Sequence, residues 1–229
     1  ITTKNAVKTG NRLFHYRNIL FPLFYLALFI PSKPILHGDF QAEIIGCIII
    51  LAGMSVRSVT IGLLYIVRGG KNRTIYAEDL VTGGIYSLCR NPMYFGNILL
   101  LLGFAFFANS LLFILAFLPL FILFYLAIIE AEEVFLEQKF GEIFSEYKKN
   151  ANYLFPDIRK IRKAFEGQMF NWKKVIYKEH NGFFLFFLGI FLLMCYKGQI
   201  SLSLLVFIVA GLAFLNGIVK YMKWKHPEI

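Results

Sequence analysis

The stretch that decides the fold is LVTGGIYSLCRNPMYFG, residues 80–96. Asn91 is a favourable helix N-cap, and Pro92 suits the first helical position because that position needs no N–H donor. Together with the apolar run that follows, these residues predict a membrane helix that begins here. The unpaired N–H groups of its first turn, next to the Arg90 guanidinium, favour the binding of a carboxylate or a phosphate.

The same stretch also has a purely structural interpretation. Caps of this kind are common at helix starts, the pair Gly83-Gly84 suits a turn, and an arginine at a membrane boundary can extend toward the headgroups. These residues alone therefore leave two possibilities open, a ligand site and a capped helix start.

The composition excludes an ordinary soluble enzyme. Hydrophobic residues make up 58% of the 229 residues and charged residues only 17%, whereas soluble domains carry about 25% charged residues. Six apolar segments account for the excess and predict an all-α polytopic membrane protein with about six transmembrane helices. The segments are Asn18–Leu36, Ala42–Val67, Pro92–Ala108, Leu111–Ile129, Gly182–Tyr196 and Ser201–Val219.

The distribution of charge predicts the orientation in the membrane. The net charge is +10, and 24 residues are Lys or Arg. With six crossings, all of these fall on one side except Lys33 and Lys197, on the other side, and Arg57, inside a segment. By the positive-inside rule both termini are expected in the cytoplasm, and the composition favours a bacterial inner membrane. The basic face is expected to contact anionic lipid rather than nucleic acid.

The pattern of segments divides the chain into three parts. Residues 1–156 are expected to form the membrane core with a helical hairpin and a cytoplasmic helix, 157–181 a basic interfacial linker, and 182–229 a C-terminal pair of transmembrane helices. Asn109-Ser110 is the only break between the third and fourth segments and predicts a tight hairpin. The cysteines and histidines are scattered without ligand or disulfide spacing, so no metal site is expected.

A second candidate cluster lies where the fourth segment leaves the membrane. On a helix, Glu132 shares a face with apolar residues, Glu133 lies at the edge of that face and Glu130 faces the polar side. A buried carboxylate needs a cation or a hydrogen-bond donor as a partner. Arg57, inside the second segment, is expected either to pair with one of these glutamates or to reach an anionic group of a ligand.

Together the two clusters resemble the isoprenylcysteine carboxyl methyltransferase and phospholipid methyltransferase superfamily of integral membrane enzymes. The segment from Leu80 to Gly96 is similar to the superfamily motif Leu-Val-x-x-Gly-x-Tyr-x-x-x-Arg-His-Pro-x-Tyr-x-Gly. A second element, Glu-Glu-x-x-Leu-x-x-x-Phe-Gly, is matched from Glu132 to Gly141. The two motifs, in this order and separated by a helical hairpin, are more specific than either motif alone.

The resemblance implies a methyltransferase that binds S-adenosylmethionine in a cytoplasmic cofactor-binding region and acts on a membrane lipid or a lipidated substrate. The cofactor-binding residues that it implies are Leu80, Val81, Gly84, Tyr86, Arg90, Asn91, Pro92 and Tyr94, with Glu132 and Glu133 closing the site from the other side. The candidates for a direct part in the reaction are Arg90, Glu132 and Arg57.

One departure from the superfamily motif concerns Asn91, which stands where the motif has His. An amide can donate a hydrogen bond but cannot act as a proton-transfer base near neutral pH. A carboxylate or phosphate acceptor needs no base, whereas an amine acceptor must first lose a proton. The acceptor therefore stays open between a prenylated carboxylate, a headgroup amine, a lipid phosphate and a small thiol.

Two other functions stay open. A sterol-type membrane reductase, which uses a nicotinamide cofactor, carries a similar Pro-x-Tyr element, but the Glu of its Pro-Asn-Tyr-x-x-Glu pattern is replaced by Asn97 here. A non-catalytic scaffold or a transporter of the same fold is the third possibility. Charged residues inside the spans would mark a transport path, and only Arg57 lies well inside one.

Overall fold

A computed structural model of the chain describes residues 3–63 and 75–225 and is all-α over this part, with no β-strand in these ranges. The expected all-α membrane class is confirmed, since four helical stretches in these ranges are long and apolar enough to cross a membrane: Asp39–Leu63, Phe113–Phe140, Trp172–Tyr196 and Leu202–Lys225. A shorter apolar helix covers Pro92–Phe107. Three basic residues of the loop expected after the second segment lie outside the described residues: Arg68, Lys71 and Arg73.

The helices are named in chain order. They are α1 (Thr3–Tyr25), α2 (Asp39–Leu63), α3 (Pro92–Phe107), α4 (Leu118–Phe140), α5 (Glu142–Asn150), α6 (Ile161–Phe165), α7 (Trp172–Tyr196) and α8 (Leu202–Lys225). A 3₁₀ turn, Gly84–Ser87, precedes α3, and a π-helical turn, Phe113–Phe117, leads directly into α4.

The helices α2 and α3 form the centre of the bundle because glycines let their backbones approach closely. A Cβ atom on Gly46 would lie 2.5 Å from the amide nitrogen of Phe107, and one on Gly103 would lie 2.7 Å from the amide nitrogen of Ile50. Small residues at such a crossing allow close van der Waals packing between helices in lipid. The surrounding core contains Leu100, Leu101, Phe104, Phe113 and Phe121, each at most 2% exposed.

The first helix differs from the prediction. One span over Asn18–Leu36 is expected from the sequence, but α1 covers Thr3–Tyr25 and a 3₁₀ turn follows over Leu26–Phe29. Pro31 and Pro34 cannot donate to a helical ladder and disfavour a helical conformation in the residue before them. The helical conformation therefore ends before the apolar run does.

The helix α1 packs antiparallel on α4 through aromatic rings. The ring centroids of Phe21 and Tyr125 lie 5.0 Å apart, and those of Phe24 and Phe121 lie 5.1 Å apart. Because the order of contacts runs in opposite directions along the two helices, the N-terminal half of α1 lies beside the C-terminal half of α4. This arrangement brings the basic part of α1 near the acidic end of α4.

The helix that leaves the fourth segment is also shorter than predicted. A continuous amphipathic helix from Ile129 to Pro156 is expected from the spacing of apolar residues, but α4 ends at Phe140 and α5 begins after Gly141. Gly141 has φ +55° and ψ −126°, a conformation that glycine adopts at far lower cost than other residues. The glycine of the second motif therefore breaks the helix.

The helix α7 begins earlier than predicted. It starts at Trp172 rather than at Gly182, so it crosses the boundary expected between the 157–181 linker and the C-terminal pair. The three-part division of the chain stays a prediction. The last helix, α8, packs against α7, and Leu205 is its buried residue.

Asn109 closes the hairpin after α3, as the sequence predicts. Its backbone has φ +53°, a conformation that asparagine tolerates better than most residues. The side-chain Oδ1 accepts hydrogen bonds from the amides of Ile35 and Leu36 over 2.9 and 3.0 Å. The side-chain Nδ2 donates to the Leu36 carbonyl over 2.9 Å and to the Asp39 carboxylate over 2.7 Å. One buried side chain thus ties the hairpin to the loop before α2.

We expect Asn109→Ala to destabilise the protein by about 2–4 kcal/mol, because it removes hydrogen bonds worth about 1 kcal/mol each and leaves buried backbone groups unpaired. Asn150→Ala is the matched control, since Asn150 is exposed and its side chain donates to the Glu146 carbonyl within its own helix. Thermal unfolding in detergent, followed by circular dichroism, measures the difference. Equal melting temperatures for the two variants would contradict the role given to Asn109.

Candidate active site at the start of α3

A cavity of about 470 Å³ lies between α1, α2, α3 and α4. Its volume falls within the roughly 300–1,000 Å³ typical of small-molecule sites. Its described lining consists of Arg17, Asn18, Phe21, Arg57, Tyr86, Arg90, Asn91, Pro92, Met93, Tyr94, Asn97, Tyr125 and Glu132. Most of the predicted site residues are therefore brought to one cavity.

Arg90 joins the start of α3 to α4 and to the segment that follows α5. Its Nε donates to one carboxylate oxygen of Glu133 over 2.9 Å, and its Nη2 donates to the other over 3.4 Å. Its Nη1 donates to the carbonyls of Lys148 and Ala151 over 3.1 and 2.9 Å. Although Arg90 lines the cavity, most of its donors are used within the protein.

Asn91 shares the Glu133 carboxylate with Arg90 and has one unsatisfied acceptor atom. Its Nδ2 donates to the Tyr153 carbonyl over 3.0 Å and lies 3.4 Å from the Glu133 carboxylate. Both of these groups are acceptors, so the amide orientation is fixed with the nitrogen toward them. The Oδ1 atom is buried and has no hydrogen-bond partner among the described residues. Asn91 therefore carries an acceptor oxygen that no described group satisfies, next to the cavity that the residue lines.

Glu132 lines the cavity from α4. It is 5% exposed, and the Tyr94 hydroxyl donates to its Oε1 over 2.7 Å. The Tyr94 ring packs against Tyr125, with the ring centroids 5.4 Å apart. The Glu132 carboxylate is thus held in position by a side chain of α3.

Arg57 pairs with a different residue from those expected. Its Nε donates to Glu179 Oε1 over 2.6 Å, and its Nη1 donates to Asn97 Oδ1. The sequence suggested a pair with Glu130, Glu132 or Glu133, and that suggestion is wrong. Glu179 comes from α7, which packs against α2 and reaches Arg57 from the side away from α4.

Four predicted site residues lie outside the described lining of the cavity: Leu80, Val81, Gly84 and Glu133. Leu80 and Val81 pack against an apolar cluster around Leu136 and Phe144. The Tyr147 hydroxyl of the same cluster donates to the Tyr86 carbonyl over 2.8 Å. This cluster packs against the turn before α3 and fixes where the helix begins.

Three contributions to the site lie outside the two motifs or have no assigned role in them: those of α1, Asn97 and α7. Arg17 belongs to the basic N-terminal stretch of the chain, which predicts orientation in the membrane but no site. Its four-residue spacing to Phe21, however, places both residues on one helical face. Asn97 lies three residues after Tyr94, which is also a same-face spacing. Glu179 falls in the predicted linker, where no local pattern points to a role.

Two other ionisable groups near the start of α3 stay neutral at physiological pH. Burial raises the pKa of the Cys89 thiol to about 12. Burial, together with the neighbouring glutamates Glu133 and Glu130, raises the pKa of Tyr153 to about 12. Cys89 is therefore not a thiolate nucleophile, and the Tyr153 phenol is not a base near neutral pH.

Comparisons with known proteins concern part of the chain. Residues 42–143 match the family model described as phospholipid methyltransferase. The chain is also similar to the cobalt-zinc-cadmium resistance protein CzcN of Cupriavidus metallidurans, with 34% identity over 130 residues. That match covers 55% of this chain and 57% of the relative, so the chain spans little more than half the length of the relative. No solved structure is significantly similar to the chain.

The segment that matches the family model contains most of α2 and all of α3 and α4, which line most of the cavity, but not α1 or α7. It includes both motifs, from Leu80 to Gly96 and from Glu132 to Gly141, and also Arg57. The resemblance inferred from the two motifs is therefore confirmed. Residues 42–143 thus match the model of the phospholipid methyltransferase family.

Proposed function

We propose that this protein transfers a methyl group from S-adenosylmethionine to a lipid or lipidated acceptor at the cytoplasmic boundary of a membrane. The family supports a membrane methyltransferase. The observation that carries the finer proposal is the cavity at the start of α3, whose lining includes Glu132, Asn91 with its unsatisfied Oδ1, and Arg17 of α1.

The residues of the cavity fit the groups of S-adenosylmethionine. The cofactor carries an ammonium, a carboxylate and ribose hydroxyls. Glu132 suits the ammonium or the hydroxyls, Asn91 Oδ1 suits any N–H or O–H donor, and Arg17 suits the carboxylate. The volume of about 470 Å³ is in the range of small-molecule sites. When bound, the cofactor supplies an electrophilic methyl group.

The described residues would act by binding, orientation and exclusion of water. Tyr94 holds the Glu132 carboxylate by a hydrogen bond of 2.7 Å, so that little motion is needed on binding. Phe21 and Tyr125 give the cavity apolar wall area, which limits the access of water to the reacting atoms. An anionic acceptor needs no base, and for an amine acceptor Glu132 is the carboxylate of the described lining that could take the proton.

The membrane arrangement that we propose places this cavity at the inner leaflet. The four long apolar helices, together with α3 and the apolar half of α1, would make the six crossings that the sequence predicts. Both termini would lie in the cytoplasm, with the basic face against anionic lipid. The cofactor would enter from the cytoplasm and the acceptor from the bilayer. A bacterial inner membrane is the proposed location.

No observation favours a second function. The relative is named for cobalt, zinc and cadmium resistance, but no group of three or more His, Cys, Asp or Glu side chains that could hold a metal ion occurs in the part of the chain that the structure describes. For a reductase, the position of the expected Glu is Asn97, and Asn97 is a partner of Arg57.

Calorimetric titration of the detergent-solubilised protein with S-adenosylhomocysteine tests the proposal. We expect binding to the wild type, and a 10- to 150-fold weaker affinity for Glu132→Gln, because a charge-assisted contact is worth about 1.5–3 kcal/mol. Tyr94→Phe is expected to weaken binding by about fivefold, since it removes the hydrogen bond that holds Glu132. Glu137→Gln, at an exposed position of the same helix, is the control. Equal affinities for Glu132→Gln and Glu137→Gln would contradict the assignment of Glu132.

Arg90→Ala is expected to lower the stability of the protein by about 3–5 kcal/mol, because it leaves the buried Glu133 carboxylate without its cation. Arg159→Ala is the control, since Arg159 also pairs with a carboxylate but its side chain is 86% exposed. Thermal unfolding in detergent measures both. An unchanged melting temperature for Arg90→Ala, combined with lost S-adenosylhomocysteine binding, would show that Arg90 acts on the ligand and not on the fold.

Reporter fusions test the orientation. A fluorescent protein fused after residue 229 is expected to be fluorescent and alkaline phosphatase at the same site inactive, because the positive-inside rule places this end in the cytoplasm. Phosphatase inserted between α7 and α8, after Gly198, should be active. The reverse pattern would contradict the proposed orientation.

A further inference from the structure

The ion pair between Arg57 and Glu179 is buried beside the cavity. The Nε and Nη2 atoms of Arg57 lie 2.6 and 2.5 Å from the same Glu179 oxygen, and the two side chains are 15% and 5% exposed. Asn97 accepts a hydrogen bond from Nη1. A guanidinium has five N–H donors, so these contacts leave donors on Nη1 and Nη2 for a ligand.

Two glycines make the space for this pair. A Cβ atom on Gly96 would lie 2.8 Å from Arg57 Cγ, and one on Gly182 would lie 2.6 Å from Glu179 Oε1. Contacts this short do not occur for real Cβ atoms, so an alanine at either position would displace the pair. The positions of both side chains are therefore set tightly by the surrounding helices.

The helix that carries Glu179 is fastened to α2. The Asn171 amide, just before α7, donates to the Gly62 carbonyl at the end of α2 over 2.9 Å. The Asn171 side chain in turn caps α7 by accepting from the Lys174 amide over 3.0 Å. Glu179 follows about two turns later, since a turn takes 3.6 residues. This helix lies outside the segment 42–143 that matches the family model.

Arg57 and Asn97 line the cavity, whereas Glu179 lies behind them, outside its described lining. Asn97 lies about 7.5 Å along α3 from Pro92, at 1.5 Å per residue, so this end of the cavity is deeper in the bundle than the helix start. The helix α1 packs on α4 and α2 packs on α3 and α7, but α1 and α2 do not pack extensively on each other over the described residues. Among the described residues, few contacts between α1 and α2 therefore close the cavity on that side.

We propose that Glu179 is a positioning residue that orients Arg57 to hold an anionic group of the membrane-embedded acceptor. This inference rests on the proposed function. Glu179 takes two N–H directions of the guanidinium, so the remaining donors keep one orientation toward the cavity. A group that is already oriented loses less conformational entropy on binding. The anionic group is a phosphate or a carboxylate, the two groups that arginine binds best. In this arrangement α7 is part of the acceptor site.

Lipid retention measured by native mass spectrometry tests this role without requiring turnover. The probes are dioleoylphosphatidylglycerol for a phosphate, oleate for a carboxylate and dioleoylglycerol as the neutral analogue. We expect Arg57→Gln and Glu179→Gln each to lower the retention of one anionic probe by roughly tenfold, and the double variant to lose no more than Arg57→Gln alone. Retention of dioleoylglycerol is expected to stay unchanged.

The control is a second ion pair between the same two elements. Glu43 of α2 accepts from Lys197, just after α7, over 2.8 Å, and both side chains are 15% exposed. Glu43→Gln removes this pair at the other end of the helices, so it matches the structural cost of Glu179→Gln. Gly182→Ala displaces Glu179 without changing charge and is expected to behave like Glu179→Gln.

The outcomes separate this inference from the proposed function. If retention of the phosphate lipid or of the carboxylate lipid falls in Arg57→Gln and Glu179→Gln but not in Glu43→Gln, the positioning role is supported. The lipid whose retention falls then identifies the anion that is held. Unchanged retention in Glu179→Gln, equal loss in Glu43→Gln, or a parallel loss of dioleoylglycerol would overturn it. Absence of S-adenosylhomocysteine binding by the wild type would instead contradict the proposed function, and we expect Glu179→Gln to keep that affinity within about twofold.

Discussion

The ion pair between Arg90 and Glu133 is the contact on which the rest of the site depends. It joins the start of α3 to α4, and the same guanidinium binds the carbonyls of Lys148 and Ala151. The Asp157 amide adds a hydrogen bond to the Leu88 carbonyl over 3.0 Å, so the chain after α5 is held against the turn before α3. A buried pair of charges is stable only when its remaining donors and acceptors are also satisfied. Here backbone carbonyls accept from Arg90, and the Asn91 side chain donates to Glu133.

The adjacent residues Glu132 and Glu133 of α4 have different contacts, because consecutive side chains of a helix point about 100° apart. Glu133 holds Arg90 and Asn91, and thereby the wall of the cavity. Glu132 faces the cavity and is held by Tyr94. The cavity consequently has a carboxylate near the helix start and, deeper in the bundle, the arginine held by Glu179. In our proposal the first end binds the cofactor and the second binds the acceptor.

Local signals made the fold class and one wall of the site predictable. The helix start at Pro92 and the length of the apolar runs depend on neighbouring residues alone, so they can be interpreted from sequence. The predicted capping bond is absent, because the Asn91 side chain donates to Tyr153 and Glu133 instead. The partner of Arg57 could not be predicted, because Glu179 is distant in the chain and reaches it only through the packing of α7 on α2. The break at Gly141 was missed because burial at helical spacing continues across it, from Leu136 to Phe144.

The central claim is that the cavity at the start of α3 binds S-adenosylmethionine. An experimental structure of the protein in a lipid nanodisc with S-adenosylhomocysteine tests it most directly. We predict density for the ligand in this cavity, with its polar groups within hydrogen-bond distance of the Glu132 carboxylate and Asn91 Oδ1. Ligand density at another site, with this cavity filled by lipid or solvent, would contradict the account.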